Sequence, residues 1–254
     1  MKITFLGTGT SQGVPVIGCP CAVCQSNDAR DKRLRSSVMI EDEGKCFVID
    51  TGPDFRQQML RANAKTLTAV IFTHEHKDHT AGFDDIRAFN YIEKKKIEVY
   101  GNSFVEKALR REYPYVFEDE KYPGVPEINF HLIENKSFKI EETIFLPIEV
   151  MHYKLPVFGF RVKDFSYVTD ANHISAKEKE KIKGSKVLVL NALMREKHIS
   201  HFSFDEAIAL AQELRAETTY FTHISHRLGL HKEVEKELPE SIRLGFDGLE
   251  VEIK

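Results

Sequence analysis

The 254-residue sequence lacks tryptophan and any strong excess of charge, because its formal net charge at pH 7 is only −3. It also lacks an uninterrupted apolar stretch near the roughly 20 residues that a membrane helix requires. The first residues, Met1 to Leu6, are predicted to form a strand with alternating apolar and polar side chains, not the apolar segment of a signal peptide. These absences predict a cytoplasmic protein that has no membrane partner. The weak charge also argues against nucleic acid as a partner.

Cysteines are few, and three of the four crowd into one short segment, Cys19 to Cys24. Such close spacing favours metal ligation in a reducing compartment over a disulfide framework. The fourth, Cys46, lies in an apolar run and is predicted to belong to the core.

The composition, 42% hydrophobic and 30% charged, is typical of a globular protein, and the length predicts a single domain over residues 1–254. Short apolar runs bounded by turn residues predict strands. These runs are Ile3 to Leu6, Cys46 to Ile49, Leu67 to Phe72, Ile97 to Tyr100, Ile144 to Val150, Phe158 to Val162, Val187 to Leu190 and Tyr220 to Phe221. Ser203 and Glu206 form a capping-box pattern that predicts a helix to about Arg215.

Early strands without intervening helices, followed by strands that alternate with helices, predict an α/β or α+β sandwich with helices outside. The least patterned stretch runs from Arg110 to His131 and contains Pro114, Pro123 and Gly124. The sequence leaves open whether this stretch is a lid, a dimer contact or a long loop.

The segment His74-Glu-His-Lys-Asp-His79 places four ligand-type side chains directly after a predicted strand. A lone histidine is usually a hydrogen-bonded or solvated side chain, but four ligands within six residues predict a metal site. If the segment begins extended, His74 and His76 point the same way, whereas Asp78 and His79 lie in a turn that can face a second ion.

This His-x-His-x-Asp-His motif resembles the signature of the metallo-β-lactamase-fold hydrolases, which implies an αββα four-layer sandwich. The resemblance directs attention to further ligands at strand ends, namely His152, Asp170 and His223. It implies that His74, His76 and His152 hold one ion and that Asp78, His79 and His223 hold the other, with Asp170 bridging the two. Nitrogen and oxygen donors suit either Zn²⁺ or Mn²⁺. Asp50 is similar to a family aspartate that orients the ligands.

A second metal site is predicted from Cys19, Cys21, Cys24 and His226, because Cys₃His is a closed tetrahedral set for structural zinc. This pairing narrows the resemblance to the PhnP-type phosphodiesterases of bacterial phosphonate degradation, the carbon–phosphorus lyase pathway. The segments Leu6 to Pro15, Thr222 to His226 and Gly245 to Leu249 also match that subfamily.

Two divalent ions about 3.5 to 4 Å apart lower the pKa of a shared water and clamp a phosphoryl group, which fits hydrolysis of small cyclic phosphodiesters. The bridging hydroxide would be the nucleophile, with Asp78 and Asp170 holding the reacting centre. By resemblance, His201 is the candidate acid for the leaving group, and the neighbouring His198 is expected to be solvated. Dimers are usual in the subfamily, which implies a homodimer.

Three other functions remain open. A tRNase Z-type tRNA 3′-processing endonuclease shares the histidine motif, but the acidic residues between 110 and 131 would repel a phosphate backbone. A lactamase or thioester hydrolase fits less well, since a set of seven metal ligands that includes a bridging aspartate is better suited to binding a phosphoryl group between two ions than to activating a carbonyl. A non-catalytic metal-binding module disagrees with an intact ligand set.

Overall fold

Two mixed β-sheets form the centre of the computed structural model, which describes residues 1–120 and 122–253. In spatial order, the first sheet consists of β14 (Glu250–Glu252), β1 (Lys2–Gly7), β2 (Ser37–Asp42), β3 (Lys45–Ile49), β4 (Ala69–Ile71), β5 (Ile97–Gly101) and β6 (Ile128–Leu132). In spatial order, the second consists of β13 (Ile242–Leu244), β12 (Thr218–Thr222), β11 (Val187–Asn191), β10 (Phe165–Val168), β9 (Leu155–Val162), β8 (Thr143–His152) and β7 (Phe138–Ile140). Lys121 and Lys254, which belong to the predicted 110–131 stretch and to the predicted domain, lie outside the described residues.

The two sheets repeat one strand pattern, although no repeat is visible in the sequence. From β14 to β3 neighbouring strands are antiparallel, and from β3 to β6 they are parallel. The second sheet follows the same scheme, antiparallel from β7 to β10 and parallel from β10 to β13. The strand ends of the two parallel portions therefore have corresponding positions in the two halves of the chain.

Alternation of side chains along the strands separates the core into layers. On β3, Phe47 and Ile49 belong to the cluster between the two sheets, whereas Cys46 and Val48 face the helices on the outer side. Strand β11 alternates in the same way between the central cluster and the second helical layer. Strands buried on both faces read as near-continuous apolar runs, which is why the sequence revealed them.

Helices cover the outer face of each sheet. The α-helices of the described residues are α1 (Ala22–Gln25), α2 (Phe55–Arg61), α3 (Lys77–Thr80), α4 (Arg87–Glu93), α5 (Ser103–Glu112), α6 (Pro114–Phe117), α7 (Ala176–Ile182), α8 (Phe204–Leu214) and α9 (His231–Val234). Apolar residues of α2, α4 and α5 pack on the first sheet, and those of α7 and α8 pack on the second. The αββα four-layer sandwich implied by the resemblance is therefore confirmed. No helix in residues 1–120 and 122–253 combines the length and apolarity that crossing a bilayer demands.

Helix α8 matches the predicted helix closely. The Glu206 carboxylate accepts hydrogen bonds from the backbone N–H of Ser203 at 2.9 Å and from its hydroxyl at 2.8 Å. These bonds satisfy groups at the helix start that have no partner within the helix. Because the helix begins directly after residues 193–203, its capped start fixes the end of a loop that reaches the candidate site.

In its described residues, the stretch from Arg110 to His131 contains more regular structure than its composition indicated, so a single long loop is excluded among the three alternatives that the sequence left open. It includes the end of α5, the short helix α6 and most of β6. The Tyr113 hydroxyl donates to the Thr80 carbonyl at 3.2 Å, and the Tyr115 hydroxyl donates to Asp84 at 2.7 Å. These long-range bonds hold the stretch against the segment that follows the histidine motif, and no local pattern could reveal them.

We predict that Phe47→Ala lowers the free energy of unfolding by about 3 to 5 kcal/mol, since truncating a buried Phe leaves a cavity. Phe47 is fully buried, and its ring lies 5.3 Å from that of Phe145 in the other sheet. Urea unfolding at matched metal content measures the change. Phe104→Ala is the control, because Phe104 is 47% exposed and its truncation should cost less than about 1 kcal/mol. Equal losses in the two variants would contradict the assignment of Phe47 to the central core.

Candidate metal centres

The predicted ligands lie where strands of both sheets end. His74 follows β4, and His152 is the last residue of β8. Asp170 and His223 come within two residues of the ends of β10 and β12. Loops at strand ends are anchored by the sheet and can still bring different side chains to one point. The fold thus gathers residues that are up to about 150 positions apart in the sequence.

Three of the residues at this point have a left-handed backbone, with φ of 66° at Asp50, 58° at Asp170 and 55° at His223. Non-glycine residues seldom adopt this conformation, which costs of order 1 to 3 kcal/mol and concentrates at functional sites. Each lies just after a strand, where the sharp change of direction turns the chain out of the sheet.

The seven predicted ligands lie in two adjacent groups. His74, His76 and His152 make up the first, while Asp78, His79, Asp170 and His223 make up the second. Within each group, one ligand atom from every residue lies within 4.8 Å of the others. The structure thus brings together all seven residues that the sequence and the resemblance predicted for the dinuclear site.

Asp170 lies between the two groups and offers one carboxylate oxygen to each. Its Oδ2 is 3.9 Å from His74 Nε2 in the first group. Its Oδ1 is 3.1 Å from His223 Nδ1 and 3.4 Å from His79 Nε2 in the second. A carboxylate in this position can contact two cations at once.

Buried ring nitrogens provide the test of whether these residues fit metal ions. His74 Nε2, His79 Nε2 and His223 Nδ1 are buried and have no hydrogen-bond partner among the described residues. An unsatisfied buried polar atom costs about 1 to 3 kcal/mol, so it calls for an explanation. All three atoms lie near Asp170, and a cation there would satisfy them. The donor set therefore fits divalent metal ions.

The other ring nitrogen of several ligands is held by a neighbouring oxygen. Thr73 Oγ1 donates to Asp50 at 2.8 Å, so its contact of 3.0 Å with His74 Nδ1 requires the imidazole N–H to donate. Similarly, His79 Nδ1 donates to Asp50 Oδ2 at 2.7 Å, and His152 Nδ1 donates to the carbonyl of Ser200 at 2.9 Å. These bonds leave the Nε2 lone pairs free for a metal.

The pKa shifts agree with a cation site. Burial lowers the pKa of His74 well below its usual value and also lowers that of His223, so both rings are neutral, as ligation requires. For His79, burial lowers the pKa, but Asp78 and Asp170 outweigh burial and raise it well above the usual value. Without a metal, a proton on His79 offsets the carboxylate charge, and a metal ion would offset it better.

His201, the predicted acid, reaches the same centre from the loop before α8. Its ring lies 4.6 Å from the ring of His152 and 4.7 Å from that of His223, and its Nδ1 is buried without a hydrogen-bond partner among the described residues. Burial, with a smaller contribution from His223, lowers the pKa of His201 to about 3. The exposed His198 stays at the entrance, 5.3 Å from the His201 ring.

The predicted structural zinc ligands also come together. Cys19 Sγ and Cys21 Sγ lie 3.3 and 3.4 Å from His226 Nδ1, and Cys24 belongs to the same group. The backbone N–H of Cys24 and then His226 lower the pKa of Cys21 to about 6, which favours its thiolate. Burial raises the pKa of Cys24 to about 11, a shift that a bound zinc ion would reverse. The four donors fit one tetrahedral zinc ion.

Sequence reasoning missed the residues that hold the ligands in place. Thr10 Oγ1 lies 3.2 Å from His223 Nε2, across 213 positions of sequence. The loop that carries Thr10 is anchored by Asp247, which accepts hydrogen bonds from Thr8 N at 2.9 Å and Leu34 N at 2.8 Å. This anchoring explains the C-terminal segment from Gly245 to Leu249 that the resemblance had singled out. Only the proximity of Thr73 to the histidine motif could have indicated its role.

Comparisons with known proteins agree with this architecture. The model of the β-lactamase superfamily domain matches residues 45–224. A solved structure described as a new diphosphatase from the PhnP family is 38% identical, covers 100% of this chain and 98% of its own chain, and has a TM-score of 0.94.

Two curated proteins add to this comparison. An octanoyltransferase from Porphyromonas gingivalis is 38% identical over 253 residues, which are 98% of this chain and 51% of that protein. The human zinc phosphodiesterase ELAC protein 1 is 28% identical over 109 residues, which are 40% of this chain and 26% of that protein. The chain thus spans about half the length of the first curated relative and a quarter of the second.

We predict that Cys24→Ser removes one bound zinc ion per chain and leaves the metals of the histidine centre in place, because a hydroxyl is a poor substitute for a thiolate. Elemental analysis of protein purified without chelators measures the change. Cys46→Ser is the matched control, since Cys46 belongs to the apolar core beside the first helical layer. An unchanged metal content in Cys24→Ser would contradict the zinc assignment.

Proposed function

The chain belongs to the β-lactamase superfamily and, within it, to the PhnP family, and we propose that it is a metal-dependent phosphodiesterase that cleaves small phosphodiesters, including cyclic ones. The finer assignment, to phosphoric diesters and to two ions, is our proposal.

The position of Asp170 is the observation that carries the proposal. Its two oxygens face the two ligand groups, with contacts of 3.9 Å on one side and 3.1 Å on the other. Two cations that share one carboxylate stabilise both the attacking and the leaving oxygen of an in-line displacement at phosphorus. A symmetric pair of this kind suits phosphoryl transfer better than carbonyl hydrolysis.

Zn²⁺ or Mn²⁺, when bound, would supply the activated water and offset phosphoryl charge. His74, His76 and His152 would hold one ion, and Asp78, His79 and His223 the other, with Asp170 between them. Asp50 and Thr73 would keep the imidazoles in one tautomer through the hydrogen bonds already described. In the reaction, water adds to phosphorus, one ester P–O bond breaks and the leaving oxygen takes up a proton.

We assign that proton transfer to His201. Its ring stands between His152 and His223, and its buried Nδ1 has no other acceptor or donor among the described residues. Because burial lowers the pKa of His201 to about 3, the ring is neutral before substrate binds. The negative charge of a bound phosphodiester stabilises the protonated ring, so the assignment requires the proton to arrive with the substrate.

A tRNA 3′-processing endonuclease is the second candidate, favoured by the 28% identity, over 40% of this chain, with the human zinc phosphodiesterase ELAC protein 1, whose solved structure is described as the short form of human tRNase Z. Against it stand the exposed carboxylates Glu118, Asp119, Glu120 and Glu127. Carboxylates near a phosphate backbone weaken binding, which depends on neutralising phosphates with cations. A small diester has no phosphate backbone that this surface would have to bind.

The octanoyltransferase activity named for the Porphyromonas gingivalis protein is not part of the proposal. The chain spans only 51% of that protein. The centre that the chain folds around consists of imidazoles and carboxylates at strand ends, a donor set suited to metal ions.

We predict that the purified protein contains roughly three metal ions per chain and cleaves bis(p-nitrophenyl) phosphate and a 2′,3′-cyclic nucleotide in a metal-dependent manner. Asp170→Ala should lose the activity because it removes the ligand shared by both groups. Precursor tRNA, a diphosphate ester and a β-lactam are assayed in parallel. Cleavage of precursor tRNA or β-lactam, or inactivity with all metals bound, would contradict the proposed substrate class.

We predict that His201→Ala keeps its metals and lowers the turnover number by about 10²- to 10⁴-fold, the usual contribution of a general acid. His198→Ala is the matched control from the same loop and should change turnover little, because His198 is exposed. Substrates with better leaving groups should be less affected by His201→Ala, since they need less protonation. Unchanged turnover in His201→Ala would remove it from the mechanism.

A further inference from the structure

An open groove lies in the helical layer outside the first sheet, between α2 and α4. Its walls come from α2, from residues 63–65 after it, from α4 and from the short 3-10 helix Phe83–Ile86 before α4. We call it the α2–α4 groove. Its volume of about 310 Å³ is at the lower end of the range of about 300 to 1,000 Å³ typical of small-molecule sites. None of its lining residues is a predicted metal ligand, so the groove is separate from the metal centres and from the proposed activity.

Apolar side chains line most of the groove. Phe55, Met59 and Phe89 are buried beneath it, whereas Leu60 and Ile92 are 64% and 62% exposed. Single exposed apolar residues are common on protein surfaces, but exposed residues from two helices that line one concavity indicate a binding surface. The aliphatic side chains of Leu60, Met59 and Ile92 suit an aliphatic chain as the ligand.

The groove is held open by its backbone and by a small side chain. Near the start of α2, Phe55 packs so closely on Gly82 that a Cβ atom on this glycine would lie 2.8 Å from the Phe55 Cβ. Beyond the end of α2, the backbone N–H of Leu67 donates to the Glu93 carboxylate of α4 at 2.6 Å. Between these two contacts, α4 presents only the methyl group of Ala88 to the groove. The walls are therefore fixed at both ends, and the space between them is preformed.

The charges that line the groove are unequally distributed. Arg56 in the first turn of α2 and Asp85 in the 3-10 helix belong to the end near the histidine motif, where they offset each other. Lys65 belongs to the other end, together with the amide of Asn63. Neither Lys65 nor Arg56 nor Asp85 forms an ion pair with another of the described residues. The groove thus has one excess positive charge, at its Lys65 end, which is complementary to a single anionic group.

We propose that the α2–α4 groove binds a medium-chain aliphatic carboxylate. The chain lies between Leu60 and Ile92, and the carboxylate pairs with Lys65 and accepts a hydrogen bond from Asn63. The seven residues of α2 span about 10 Å, and an extended aliphatic chain advances about 1.3 Å per carbon atom. A chain of about eight to ten carbon atoms therefore fits the groove.

Isothermal titration of the metal-loaded protein with decanoate tests the proposal. Hexanoate, which lacks four methylene groups, should bind at least about tenfold more weakly, because each buried methylene strengthens binding severalfold. Decyltrimethylammonium has the same chain with the opposite charge and should also bind at least about fivefold more weakly than decanoate. Binding of both ten-carbon ligands with equal affinity would reduce the groove to a non-specific apolar surface and overturn the proposal.

Two variants locate the ligand. Lys65→Met should weaken decanoate binding about fivefold and should not weaken decyltrimethylammonium binding, because only the carboxylate gains from the ion pair. Lys107→Met, on α5, is the matched control for loss of an exposed lysine. Ala88→Phe fills the groove and should weaken decanoate binding at least about tenfold, whereas Ala176→Phe, on exposed Ala176 of α7, should leave it unchanged.

Asp170→Ala separates this site from the metal centre, where a carboxylate can bind to a metal ion. We expect this variant to bind decanoate as the wild type does, whether or not the protein cleaves phosphodiesters. Loss of binding in Asp170→Ala together with undiminished binding in Ala88→Phe would place the carboxylate at the metal centre and overturn the proposal. Absence of decanoate binding, together with dissociation of a dimer in Ala88→Phe, would assign the groove to a second copy of the chain instead.

Discussion

The concentration of negative charge around His79 is the constraint on which the candidate site depends. Its Nδ1 lies 2.7 Å from Asp50, and its Nε2 lies 3.2 Å from Asp78 and 3.4 Å from Asp170. One imidazole cannot compensate three carboxylates, and isolated charges in a buried position are costly. Burial lowers the pKa of His74 and of His223 and keeps both rings neutral, so the positive charge must come from a ligand. The fold therefore leaves an excess of buried negative charge, which divalent cations would balance.

The repeated strand pattern explains how the carboxylates reach this point. Asp50 follows β3 and Asp170 follows β10, two strands with the same place in their sheets. Both residues have a left-handed backbone, so the chain leaves the two sheets in the same way. Their surroundings then give them different tasks. The Asp50 oxygens accept hydrogen bonds from Thr73 and His79, whereas the Asp170 oxygens face the two ligand groups.

The sequence predicted the central strands and the ligands because both have strong local patterns. Strands such as β3 and β11 are apolar on both faces, and the histidine motif condenses four donors into six residues. Strands β2, β6, β7, β13 and β14 were not predicted, because most of them are short or lie toward the edges of the sheets and have polar residues on one side. Edge strands have weaker hydrophobic patterns, because polar side chains are tolerated where a strand faces solvent.

The contacts that orient the ligands escaped prediction for a different reason: they join distant parts of the chain. Thr10 reaches His223 only because backbone hydrogen bonds of 3.2 and 2.9 Å join Thr10 N to Ile224 O and Ile224 N to Thr8 O. Two residues after Ile224 comes His226, which lies with the three cysteines of the first 24 residues. The cysteine group thus fastens the N-terminal loop to the segment that carries His223, at a point where both already run side by side. Its effect on the second ligand group is indirect, because it fixes the backbone from which Thr10 and His223 approach that group.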